Sequence, residues 1–192
     1  MRYTPEIHRA VRFAIKTHEV YQKQKRKGKD VPYITHPLVV GLIVARAGGS
    51  EEEVIAGILH DTIEDSTPAK RVTRTMLEER FGGEVAALVE SVTEKDTYSW
   101  EERKHAALEH IETFSHGSIM VKSADIIANM AELLDDHATD GTDVWRRFAA
   151  PQERVLAHAQ QVIAALLARW PESPLADDLA EVSARLRSIE SD

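Results

Sequence analysis

Residues 50–65, SEEEVIAGILHDTIED, decide how this chain is read. Ser50 follows Gly48-Gly49 and precedes Glu53 by three positions, the signature of a capping box, so a helix starts here. Val54, Ile55, Ile58 and Leu59 give that helix an apolar stripe, which runs directly into His60, Asp61, Glu64 and Asp65. At about 100° per residue, positions i, i+1, i+4 and i+5 fall within an arc of roughly 140°, so the four side chains are expected to line one wall of a pocket. Local energetics disfavour the arrangement. Carboxylates at i,i+4 repel, and acidic residues near a helix C-terminus oppose the macrodipole. A nearby cation would relieve both costs.

Outward from this helix, apolar residues keep recurring at three and four and nowhere alternate convincingly as in a strand. The expected fold is all-α, a bundle of about eight to ten helices. A first helix is expected over about 5 to 21, ending in a basic loop that contains Gly28. A second runs from Thr35, with Pro37 in its first turn, to about Arg46. After the helix at Ser50, further helices are expected at about 73–80, 83–93, 101–114, 118–134, 144–169 and 175–189, with glycines and prolines between them. The expected organisation is one domain over 1–192, with a core at about 5–135 and C-terminal helices at about 144–190 packed on it.

Composition narrows the chemistry. The chain has no cysteine, so a metal must be held by imidazole and oxygen, and no thiolate nucleophile exists. A formal net charge of −8 argues against a nucleic-acid partner, which would require cations spread over a surface. A small anionic substrate needs only a local patch, and Lys23, Lys25, Arg26, Lys27 and Lys29 supply one. No apolar run approaches the roughly 18 to 20 residues of a membrane span, so no membrane partner is expected. The N-terminal MRYTPEIHRAVRFAIKTHE is amphipathic and lacks a secretory h-region, which points to a cytoplasmic protein. A homo-oligomer is left open.

Two more candidate ligands lie outside the decisive helix. His36 opens the preceding helix, and Asp125 sits in SIMVKSADIIANMAELL, residues 118–134. There Met120, Val121, Ala124, Ile127 and Leu134 mark a buried side, and an aspartate among them is expensive unless paired or metal-bound. Lys122 lies nearly one turn before it and Asn129 one turn after.

The order His36, His60-Asp61, Asp125 resembles the H…HD…D pattern of the HD phosphohydrolase superfamily. More narrowly, the chain is similar to the hydrolase domain of RelA/SpoT proteins and to the small alarmone hydrolases. The matching stretches are Arg26-Lys27, PYITHPL (32–38), ILHDTIED (58–65), RFGGEVAALVESVTE (80–94), ERK (102–104) and VKSADIIANM (121–130). The resemblance implies an HD-domain helical bundle in which His36, His60, Asp61 and Asp125 bind one divalent ion, manganese in this family, with other divalent metals open. It implies that Glu64 and Asp65 position and deprotonate a water. Arg26 would stack on the base, Lys27 would meet phosphate and Asn129 would contact the nucleoside. Lys95 and Arg103 are expected at the pocket mouth, Lys95 as a further substrate contact. The reaction implied is removal of the 3′-pyrophosphate of ppGpp or pppGpp, leaving GDP or GTP.

Ile126, Ala128 and Glu132 depart from the family pattern, where polar, basic or small residues are usual. An adenosine alarmone, NADPH or another phosphorylated nucleotide therefore stays open as substrate. So does a non-catalytic nucleotide-binding sensor, against which Glu64 and Asp65 speak, since binding alone needs no water-activating pair. His18 matches a family position in the first helix, and a core role is expected for it. Trp145 and Trp170 are read as core anchors.

Overall fold

The computed structural model describes residues 2–94 and 100–189. Among the described residues the fold is all-α, with nine α-helices: α1 (Pro5–Ile15), α2 (Thr35–Arg46), α3 (Glu51–Leu59), α4 (Arg74–Phe81), α5 (Gly83–Val92), α6 (Trp100–Ile111), α7 (His116–Asp140), α8 (Gln152–Arg169) and α9 (Ala176–Ile189). No strand occurs among them, only an isolated bridge between Lys25 and Pro32. None of these helices is long and apolar enough to cross a membrane.

Local chemistry sets the helix starts. Both arms of the capping box form: the Glu53 N–H donates to Ser50 Oγ at 3.1 Å, and the Ser50 N–H donates to Glu53 Oε2 at 2.8 Å. Thr4, Thr73 and Ser115 cap α1, α4 and α7 through one arm, each side chain accepting from an N–H three residues on.

Four sequence expectations need correction. The first helix leaves α geometry at Ile15 and continues as a π-helical segment, Lys16–Gln22, a change of winding with no periodic signal. Residues 61–65 are not a further turn of α3: His60 caps that helix, and the chain continues as turns, with Asp65 N–H still reaching Asp61 C=O at 2.9 Å. The helix expected at 118–134 extends over His116–Asp140. The one expected at 144–169 is two elements, a 3-10 segment Gly141–Arg147 and then α8, because Pro151 cannot donate within a helix and sits at the α8 N-cap.

α7 is the wall shared by two apolar clusters. Met120, Val121 and Ala124 belong to a cluster with α1, α2, α3 and α5, while Ile119 and Leu134 belong to one with α6, α8 and α9. α2 and α3 meet at two glycines, and a Cβ built on Gly57 would stand 3.4 Å from Gly41 Cα. That close approach brings the start of α2 beside the end of α3, where His36 and His60 lie. A Cβ on Gly41 would fall 2.5 Å from Ile58 Cγ1, so Gly41→Val is expected to cost about 1–3 kcal/mol of unfolding free energy, read from the denaturant midpoint. Gly57→Ala, which meets only ordinary contact distances, is expected to stay near the parent.

Candidate metal centre

His36 is the second residue of α2, His60 caps α3, Asp61 opens the following turn and Asp125 projects from the middle of α7. The Nε2 atoms of His36 and His60 are 3.3 Å apart. Asp125 Oδ1 lies 3.3 Å from His36 Nε2 and 3.7 Å from His60 Nε2. Asp61 Oδ2 lies 3.1 Å from His60 Nε2 and 3.7 Å from His36 Nε2. Ligands held about 2.1 Å from one ion stand about 3.0 Å apart at right angles and about 3.4 Å apart at the tetrahedral angle. The observed spacing suits one divalent cation, and two imidazoles with two carboxylates suit a borderline or hard one. His36, His60 and Asp125 are buried, so their ligand atoms meet away from bulk water.

Tautomer and charge agree with that fit. His60 Nδ1 lies 2.8 Å from the Gly57 carbonyl, which can only accept, so Nδ1 carries a proton and Nε2 is the nitrogen that faces the cluster, open to a second proton or a metal ion. His36 Nδ1 is buried without a partner, leaving that ring's tautomer to be set by whatever Nε2 meets. Burial alone would lower the His60 pKa, but the Asp61 and Asp125 carboxylates raise it well above the ordinary imidazole value. Burial likewise pushes Asp125 up, while Lys122 and the two imidazoles hold it well below the usual carboxylate range. The cluster attracts positive charge, a proton or a metal ion.

Surrounding residues hold the ligands in place. Lys122 Nζ donates to Asp125 Oδ2 at 2.8 Å and Asn129 Nδ2 donates to Asp125 Oδ1 at 2.6 Å. The Tyr33 hydroxyl donates to Asp61 Oδ2. Glu64 accepts the Glu94 N–H at 3.1 Å, and burial together with the Asp61 charge pushes its carboxyl up to about 7. Asp65 is also raised, by burial and then by Asp61, although it accepts from Gln24 Nε2 at 2.9 Å.

The cluster lies in a cleft of about 630 Å³ that also holds Glu64, Arg26, Lys27 and Asn129. Asp65 does not line it, its Oδ2 being committed to Gln24. Arg26 is engaged within the protein: its guanidinium meets Glu132 Oε2 at 2.6 Å and Asn129 Oδ1 at 2.8 Å, and lies 5.4 Å from the Tyr33 ring centroid. Lys29 bridges Glu132 and Asp136, and Lys27 lies over Phe148 at 4.8 Å. Much of the basic loop is thus countered by acids of α7. Lys95 and the side chain of Arg103 lie outside the described residues. His18 is fully buried and stands apart from the ligand cluster.

Sequence reasoning missed Tyr33, Gln24, Asp136 and Phe148, and it marked Glu132 as a departure from the family pattern without finding its partners Arg26 and Lys29. Tyr33 was available within PYITHPL as the only hydroxyl-bearing ring beside a candidate ligand. The others carry no local signal.

An HD-domain family profile matches residues 10–153. The chain is 35% identical over 126 residues to the guanosine-3′,5′-bis(diphosphate) 3′-pyrophosphohydrolase MESH1 of Xenopus tropicalis, covering 65% of this chain and 67% of that protein. The human protein of the same name gives the same identity and coverage. The guanosine-3′,5′-bis(diphosphate) 3′-pyrophosphohydrolase of Aquifex aeolicus is 46% identical over 92 residues, 48% of this chain and 12% of that longer protein. Among solved structures, a metazoan orthologue of SpoT that hydrolyses ppGpp matches with a TM-score of 0.79 over 98% of this chain and 99% of that one, at 24% identity. A Listeria monocytogenes protein matches with a TM-score of 0.72 and 31% identity, over 82% of this chain and 99% of that one. The chain therefore belongs to the HD-domain family and is related to the MESH1 and SpoT hydrolases.

Proposed function

We propose that this protein is a cytoplasmic, manganese-dependent phosphohydrolase that removes the 3′-pyrophosphoryl group of guanosine alarmones. The observation that carries this reading is the meeting of His36, His60, Asp61 and Asp125 on the wall of a nucleotide-sized cleft, beside a glutamate whose proton affinity lies near neutrality. When bound, the divalent ion supplies positive charge to the phosphoryl oxygens and makes water more acidic.

The chain's own groups do the rest. Glu64 takes a proton from the water as its oxygen bonds to the phosphorus attached to the 3′ oxygen. The bond from that phosphorus to the 3′ oxygen breaks, the 3′ oxygen takes a proton from solvent as Glu64 returns its own to solvent, and ppGpp becomes GDP and pyrophosphate. Asp65 orients the water-handling turn. Lys122 and Asn129 keep Asp125 ionised and aimed, and Lys27 offers its ammonium to the nucleotide's phosphates. Arg26 meets the base once Glu132 yields.

A second reading has an observation in its favour. Glu132, one of the departures from the family pattern, already occupies Arg26, which changes the surface offered to a base. An adenosine alarmone, NADPH or another phosphorylated nucleotide fits that change. Incubation of the purified protein with ppGpp and Mn²⁺ is expected to release pyrophosphate and GDP, followed by chromatography. No release at micromolar enzyme would sink the alarmone reading. Orthophosphate as the main product across a nucleotide panel would favour the second.

A further inference from the structure

Several departures from ordinary local structure coincide just upstream of the metal centre. Lys16–Gln22 is wound as a π-helix, a form that is rare and concentrated at functional sites. Lys23 follows in the left-handed region at φ 52, the one non-glycine residue with positive φ among the described residues. Inside the segment, His18 Nε2 and Gln22 Nε2 are both buried with no hydrogen-bond partner. Each of these disfavours the folded state, and costs gathered in one place point to something they hold in position.

What they hold is Gln24. Its main chain is pinned at both ends, the N–H to His18 C=O at 3.0 Å and the C=O by Tyr33 N–H at 2.9 Å. Its side chain is fixed by the chemistry of its neighbours. The Asp65 carboxylate can only accept, so Gln24 must present its NH₂ there, at 2.9 Å. Gln24 Oε1 then faces His18 Nδ1 at 3.2 Å, and Gln22 Oε1 faces the same nitrogen at 3.2 Å. Two carbonyl oxygens on one ring nitrogen require a proton on Nδ1. The reverse tautomer would turn the Gln24 carbonyl onto a carboxylate.

We infer that His18 and Gln24 are positioning residues: the His18 Nδ1–H sets the Gln24 amide, and the amide sets the orientation of Asp65 beside the metal centre. The inference rests on the reading of Asp65 given under Proposed function. It assigns the π-segment a purpose, since the change of winding and the left-handed Lys23 bring Gln24 back across the start of the basic loop to reach a residue 41 positions away.

The test has a kinetic arm and a spectroscopic arm. Gln24→Leu keeps the volume and removes the amide. With ppGpp and Mn²⁺ it is expected to lower kcat about tenfold or more, with KM and bound manganese within about twofold of wild type. In an Asp65→Asn background, Gln24→Leu is expected to cost nothing further. An unchanged kcat in Gln24→Leu, or equal losses in both backgrounds, would overturn the inference. In wild-type protein, nitrogen-15 correlation of the assigned His18 imidazole is expected to show a proton on Nδ1, and a bare Nδ1 would overturn it as well. If wild type does not turn over ppGpp, the functional reading falls by itself, and the imidazole signal alone then decides whether His18 sets Gln24.

Discussion

Asp61→Ala is expected to strip the protein of manganese and to lower pyrophosphate release by about a thousandfold or more. Asp61 Oδ2 sits against both imidazole Nε2 atoms, so its loss removes one of the four proposed ligands and one of the two carboxylates that draw positive charge into the cluster. It also strands the Tyr33 hydroxyl, which donates to that oxygen. The fold should survive, because Asp61 lies in a turn after α3 and the apolar clusters beneath are untouched. Metal content after dialysis, measured with activity on the same sample, separates the outcomes. Full manganese occupancy in the variant would remove Asp61 from the ligand set, and unchanged activity would remove the metal centre from the reaction.

How much of this was legible before the structure differs from residue to residue. The capping box at Ser50 and Glu53 is a short-range device, and it was read correctly because everything it needs lies within four residues. The candidate ligands were named through the resemblance to the H…HD…D pattern, and the structure brings His36, His60 and Asp125 together with Asp61 Oδ2 beside both imidazoles. The basic loop was readable as a charge cluster, but its partners were not. Glu132 and Asp136 reach it from more than a hundred residues away, and no local period announces an ion pair of that separation. Acids near the end of α7 also help explain why it runs past Leu134. Asp136 and Asp140 take the Arg147 guanidinium, giving the last turns contacts that an apolar stripe cannot foretell. The π-segment was invisible for a different reason: its winding is decided by where Gln24 must arrive, a tertiary demand that leaves the sequence period helical.

Glu64→Gln is the variant in which activity and stability should move in opposite directions. Its activity is expected to fall by about 10² to 10⁴, with manganese retained, because the proton acceptor is gone while the ligands remain. In wild type the rate should rise with pH as the Glu64 carboxyl ionises, at a pH below the metal-free value of about 7 because a bound cation favours the carboxylate, and the variant should lose that limb. Stability runs the other way. A carboxyl whose folded pKa lies above its unfolded value contributes stability below the unfolded pKa, and that contribution is lost as pH rises through the folded pKa. For Glu64 the window runs from 4.5 to about 7, burial and Asp61 being the cause. At pH 8 with a chelator present, metal-free wild type carries a poorly solvated charge beside Asp61 that glutamine does not. After discounting for partial exposure, the gain is about 1–2 kcal/mol, so Tm should rise by about 2–6 °C. At pH 4, where the carboxyl is protonated in both states, the two proteins should melt together. Equal Tm at pH 8 would mean that Glu64 is well solvated in solution, and its role as the near-neutral base would go with it.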